Sequence, residues 1–432
     1  MVGVLVASFP RKPRLHLKAQ HREHLFPNSM SLVERCHKVA VEARGAGYLD
    51  KELSVYDAVT SYFLGLAGAY TFQWKQTRLY FGETLTITRV LGAHRLKDPG
   101  VLPVGALPAV LGSDQGAFDG QTQPVDYIRQ EIGRRVFWVM FVGIRSDFST
   151  RRRVSYANLG RSMQQLGASF GELLIPPPTP TEPYPPYPLE VDDEYIYVDH
   201  VDPQPPGMIS KLAGFNLNIE IYSTVTPLAT MELAYGIDSV FDWNRQKRVL
   251  EECLQSVKRV LDHAPAELML QTSKSFGMGA SAQGQYYPPT TEYPGSRANG
   301  TDSSHYNLAN PDVRRELQFE IQKANIYASQ LGTRSYIVEK YWNLQEVYEA
   351  MKAAVGDSKS NILGSPGVMA SGLDGILLPK GNGNYGEGLE AHVATERESI
   401  VKDLLRVLSC ISQVNMEPNG GSFVSLLSAF GL

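Results

Sequence analysis

From Ile128 onward, apolar side chains recur every fourth residue: Ile128, Ile132, Val136, Met140 and Ile144. That interval puts them on one stripe of a 3.6-residue helix. Phe137 and Phe141 lie beside the stripe, and the nine residues from Val136 to Ile144 carry no charge. The second half of the segment is therefore apolar nearly all round, as a buried central helix is. Composition alone would also allow a strand over Val136-Phe137-Trp138-Val139-Met140-Phe141-Val142. The pattern starts upstream at Ile128, which makes the segment too long for a typical strand and favours helix.

Similar patterns run along the rest of the chain. Ser54-Val55-Tyr56-Asp57 has the form of a capping box and predicts a helix over 54–70, with Val55, Val59, Tyr62, Phe63, Leu66 and Tyr70 as its apolar side. A second helix is predicted over 75–91, and Gly92 falls where a helix-ending glycine belongs. Residues 98–125 are rich in Gly, Pro and Asp and read as a loop. Eight prolines between 176 and 188 impose extended, polyproline-like chain. A stiff loop packed over helices is the default reading there, and a ligand for an SH3-like or WW-like partner is the alternative. Helical spacing resumes at Ile209, Leu212, Phe215, Ile219 and Tyr222 until Pro227 forces a break or kink.

A further helix is predicted from about Trp243 to Leu261, through Val249, Leu250, Leu254 and Val257. Residues 272–309 are rich in Ser, Gly, Gln, Tyr, Pro and Asn and read as a long mobile insertion. Asn310-Pro311 supplies an N-cap and a first-turn proline. The helix beyond carries Leu317, Ile321, Ala324, Tyr327 and Leu331, then Tyr336 and Ile337 if it continues. After a glycine-rich stretch over about Gly356–Gly388, Thr395-Glu396-Arg397-Glu398 reads as a capping box opening a final helix with Ile400, Leu404, Leu405, Leu408 and Ile411. No strand set of comparable strength and no internal repeat emerges. The expected fold is all-α: a large helical bundle or superhelix interrupted by long Pro-rich and Gly-rich loops.

Composition adds limits. At 432 residues the chain can bury a large core, and its net charge of −4 gives no overall electrostatic footprint for nucleic acid. Cys36, Cys253 and Cys410 are widely separated, which fits a reducing compartment and cannot supply a four-cysteine zinc site. No apolar run reaches the roughly eighteen residues of a membrane span. Met1–Phe9 is apolar but lacks a preceding basic region, so it does not read as a signal peptide.

Several motifs invite chemistry. Residues 11–24 are basic and histidine-rich, and read as a solvated arm or as a segment once joined to a DNA-binding module. His21 and His24 could pair on a metal, but no Cys or Asp lies at ligand spacing. Gly381, Gly383 and Gly386 satisfy G-x-G-x-x-G, yet Pro379 precedes them and no βαβ pattern surrounds them, which favours a loop. Asp192-Asp193-Glu194 could suit magnesium and a diphosphate, but position 196 is Ile where a further carboxylate would be needed. Arg151-Arg152-Arg153, with Arg145 and Arg161 nearby, reads as a solvated or carboxylate-paired helix end, with nuclear import or phosphate contact as alternatives.

Three motifs in order carry a resemblance. The helical pair ends in Leu91-Gly92-Ala93-His94-Arg95; then come Glu131, Arg134, Arg135 and Trp138 on the central helix; then Pro188-Leu189-Glu190-Val191-Asp192-Asp193. This series resembles the regulatory, or middle homology, domain of fungal zinc binuclear cluster transcription factors, over roughly 52–270. The resemblance implies a regulatory domain acting in a nucleus, not an enzyme, with Leu91, Gly92, His94, Glu131, Arg134, Arg135, Trp138, Asp192 and Asp193 as structural signature residues. It implies a basic arm and first helix over 1–50, a regulatory core over 51–270, a flexible insertion over 271–310 and a C-terminal helical part over 311–432. DNA would be met only through a zinc cluster missing from this chain, so no cofactor is expected here. Homodimerisation, other transcription factors and a small-molecule inducer are the implied partners, with no membrane. An interaction-only modulator and a helical enzyme or carrier remain alternatives.

Overall fold

Ser54 and Asp57 close the capping box that the sequence predicts: the Ser54 backbone N–H and hydroxyl both donate to Asp57 Oδ2, at 2.9 and 2.7 Å. The computed structural model describes residues 1–8, 17–92, 126–151, 175–236, 240–270, 311–361 and 386–416. Its principal helices are α1 (Val2–Ser8), α2 (Ser29–Arg44), α3 (Val55–Tyr70), α4 (Trp74–Val90), α5 (Tyr127–Arg151), α6 (Ala213–Ser223), α7 (Thr226–Tyr235), α8 (Trp243–Arg259), α9 (Pro311–Asn361), α10 (Gly386–Cys410) and the short α11 (Gln413–Met416). Among the described residues 75% are helical and there is no strand; one isolated bridge joins Ile196 and Val201. The chain is all-α, as its periodicity predicts. The loop at 98–125 and the insertion at 272–309 lie outside the described residues.

α3 and α4 form a helical hairpin whose seam differs from the expected one. The large residues Val55, Val59, Tyr62, Phe63 and Leu66 are only partly buried, and Tyr70 is exposed. Ala58, Ser61, Gly65 and Gly68 turn inward instead, against Thr77, Phe81, Thr84 and Thr88 of α4. Small residues let the two backbones approach closely: a Cβ at Gly65 would intrude on the Phe81 ring, and one at Gly68 would lie 2.9 Å from Thr77 Oγ1. The buried threonines cost little, because each hydroxyl donates to a carbonyl four residues back, at 3.2, 2.8 and 2.7 Å for Thr77, Thr84 and Thr88. α1 and α2 lie against this hairpin, with Val6, Val33 and Ala67 in contact. Arg44 fastens α2 by donating to Glu83 and Ser61 at 3.3 and 3.0 Å.

Two larger cores meet at α6. Ile219 and Tyr222 pack with Phe81, Leu85 and the aromatic run of α5, while Leu217 and Ile221 face a core built from α8, α9 and α10. This explains why every residue of α6 from Ala213 to Tyr222 except Phe215 and Glu220 is buried. The predicted helix start at Ile209 moves to Ala213, since Leu212 is the N-cap residue. Pro227 ends the run as expected by standing in the first turn of a new helix, α7. The predicted capping box at Thr395 is wrong. α10 already begins at Gly386, and the Thr395 hydroxyl donates back to Ala391 O at 2.8 Å inside the helix.

Candidate functional site

The central helix α5 and the proline-rich segment after it form one junction. Val136, Met140 and Ile144 of the predicted stripe are buried, and Trp138 is 1% exposed. Its ring meets those of Phe137, Phe141, Tyr184 and Tyr187 edge to face, with centroids 5.0 to 5.7 Å apart. Indole Nε1 donates to Pro186 O at 2.9 Å, satisfying a group that would be costly to bury alone. Residues 175–188 thus run as an extended strap across α5. Proline dictates this: it fixes φ and removes N–H donors, so the strap needs few backbone partners. Tyr184 closes the strap on itself by donating to Pro176 O at 3.0 Å.

At the N-terminal end of α5 the junction becomes electrostatic. Glu131 and Arg134 are buried and pair at 3.4 Å. Glu131 also accepts from Arg135 Nε at 2.9 Å and from the Leu189 N–H at 3.1 Å, so one carboxylate ties its own helix to the strap's end. Burial pushes the Glu131 carboxyl up, and the two arginines and the Leu189 N–H offset only part of that. Arg135 reaches on to Asp193 at 2.6 Å.

Asp192 is buried. Its Oδ1 accepts from the Lys211 N–H at 2.7 Å, and its Oδ2 from Arg315 of α9 at 2.6 Å. Burial raises this carboxyl, but the Lys211 N–H and the Arg315 guanidinium more than compensate and hold it below its ordinary value. Asp192 pairs with Arg315 and, at 3.7 Å, with Lys211, which also binds Glu194, while Asp193 pairs with Arg135. Among the described residues no three His, Cys, Asp or Glu side chains gather into a metal-binding group. The chemistry of this site is clamping: the buried carboxylates Glu131 and Asp192 each accept from several donors and hold one segment against another, while the exposed Asp193 and Glu194 each add one surface ion pair.

Leu91 and Gly92 sit apart from the clamp. Leu91 packs beside Ala58, Ile87 and Val136, and Gly92 takes φ 65° at the end of α4, with its N–H on Arg89 O at 3.0 Å. His94 lies outside the described residues, as do Arg11–His16, Arg152, Arg153, Arg161 and the Gly381–Gly383 glycines; Gly386 opens α10. His21 and His24 are exposed. Among the described residues no helix is long and apolar enough to cross a membrane.

A second buried polar cluster escaped the sequence reading. Arg334 of α9 donates to Glu396 and Asp403 of α10 at 2.6 and 2.7 Å, and Lys258 of α8 reaches Glu396 at 2.6 Å. Arg334 and Glu396 are both buried. The sequence carried little signal for it, since Arg334 stands between Thr333 and Ser335 and Lys340 follows Glu339, a mixed stretch that marks neither charge as buried. No protein-family model, curated protein or solved structure matches this chain.

Proposed function

We propose that this chain is the regulatory domain of a fungal zinc-cluster-type transcription factor, acting in the nucleus. In this reading it modulates transcription and is not an enzyme, and DNA is read by a zinc cluster that is not among these 432 residues. One observation supports it most: residues of the second and third motifs, 58 positions apart, bind one another, and Trp138 binds the strap just before the third motif. Trp138 holds Pro186, Glu131 holds Leu189 and Arg135 holds Asp193. Two of the three motifs thus meet in one physical junction, which supports reading them together; the first, at Leu91 and Gly92, lies apart from it. The helical architecture suits an effector-responsive scaffold, in which packed helices transmit small displacements.

The test joins the whole chain to an unrelated DNA-binding module and measures a reporter bearing that module's site in a fungal host. The reading expects transcription to differ from that given by the module alone. It also expects Trp138→Ala or Asp192→Asn, at matched protein level, to change that response. A reporter indistinguishable from the module-alone control would overturn it.

A further inference from the structure

We propose that Thr179 is a phosphorylation site for a proline-directed serine/threonine kinase, and that phosphate there opens the tip of the strap. The inference does not rest on the transcriptional reading. Thr179 is followed by Pro180 and is exposed. It begins a tight turn in which Pro180 and Thr181 form the corner, a position that suits proline. Thr179 N–H donates to Glu182 O, and Glu182 N–H donates to Thr179 O, both at 3.1 Å. Glu182 N–H also lies 2.9 Å from Thr179 Oγ1, which is 3.1 Å from Thr181 Oγ1. These bonds are at the surface, where each contributes little, so a kinase can draw the segment into the extended form it requires. The other described threonine before a proline, Thr226, is half-buried at the start of α7.

In the reaction Thr179 Oγ1 attacks the γ-phosphorus of a nucleoside triphosphate. The Oγ1–P bond forms, the bond to the bridging oxygen breaks, the nucleoside diphosphate leaves, and the hydroxyl proton passes to the kinase's base. The product carries a charge of about −1.5 to −2. The esterified Oγ1 can no longer donate to Thr181, and the phosphate stands beside the Glu182 carboxylate across a four-residue turn. Like charges at that range oppose the closed turn. The rest of the strap stays seated, because Tyr184 packs against Phe137, Trp138 and Phe141 at 5.6, 5.7 and 5.6 Å.

The full chain and a synthetic peptide of residues 175–188 are incubated with an active proline-directed kinase and ATP, and phosphosites are mapped by mass spectrometry. Phosphate on Thr179 in both, lost from Thr179→Ala, is expected. Amide exchange of the segment around 179–182 should then rise roughly tenfold, with α5 unchanged, as befits loss of a few weak surface bonds. Thr179 left unmodified in the full chain overturns the proposal, whether or not the peptide reacts. Modification without faster exchange overturns the opening of the turn.

Discussion

Truncating Trp138 to Ala tests whether the α5–strap junction is central to stability. The indole is 1% exposed, edges against four rings and bonds to Pro186 O, so its removal leaves a cavity, ends four aromatic contacts and strands a carbonyl. Large aromatic truncations in cores cost about 3–5 kcal/mol. Of this the hydrogen bond accounts for about 1 kcal/mol and the ring geometry for part of the rest. Trp138→Phe separates the two terms: it keeps most of the packing but loses the bond, and should cost only about 1–2 kcal/mol. Urea unfolding followed by far-ultraviolet circular dichroism reads both. With a slope near 3 kcal/mol per molar, the Ala variant's midpoint should drop by about 1–1.7 M. An unchanged midpoint would make the helix peripheral and refute the argument. Equal losses for Phe and Ala would refute the claim that packing dominates.

Gly65→Ala should destabilise by about 1–3 kcal/mol despite alanine's better helix propensity, since the new methyl meets the Phe81 ring; a raised melting temperature would contradict the close seam. Asp192 predicts a pH effect: because its carboxyl is held below the ordinary 3.8, the stability it contributes is present above that value and is lost as pH falls through the lower folded-state value. Asp192→Asn should abolish that part of the acid limb in urea midpoints measured across the acid range, and an identical pH profile in the variant would sink the assignment. Glu396→Gln should cost about 3–5 kcal/mol by calorimetry, because Arg334 and Lys258 lose the shared carboxylate between them. A neutral result would mean that the network opens to water.

The features legible in the sequence were those whose physics is local. The four-residue stripe of α5, the Ser54–Asp57 box, Gly92 and the proline strap each depend on neighbours within a few positions. The α3 seam was not legible, because a search for large apolar residues passes over Ala58, Ser61, Gly65 and Gly68; their importance comes from how closely α4 approaches. Thr395 misled for the converse reason. Its spacing to Glu398 suits a cap, but Glu396 is committed to Arg334 and Lys258, partners 62 and 138 residues away, so the helix runs through. The motif residues Glu131, Arg135, Trp138, Asp192 and Asp193 were found in sequence, but the third partner of the clamp, Arg315, was not. Arg315, one of two adjacent arginines near a helix start, carries no signal until the loop folds onto it.

Arg315 and Arg334 give α9 a role that its apolar face alone could not. Their separation of nineteen residues corresponds to about 28 Å along a helix. One end is fixed through Asp192 to the segment that follows the strap, and the middle to α10 through Glu396. Between them Gln322 donates to Lys211 O at 2.6 Å and Gln330 to Val257 O at 3.1 Å. An apolar interface tolerates some sliding of one helix past another, since many registers bury similar area. Directional bonds to fixed backbone carbonyls do not, because a shift of one turn would leave each buried donor and carboxylate unsatisfied at once. α9 is therefore held in a single register along its buried length. Anything that displaces the chain at Asp192 must either break that clamp or move the helix as a unit.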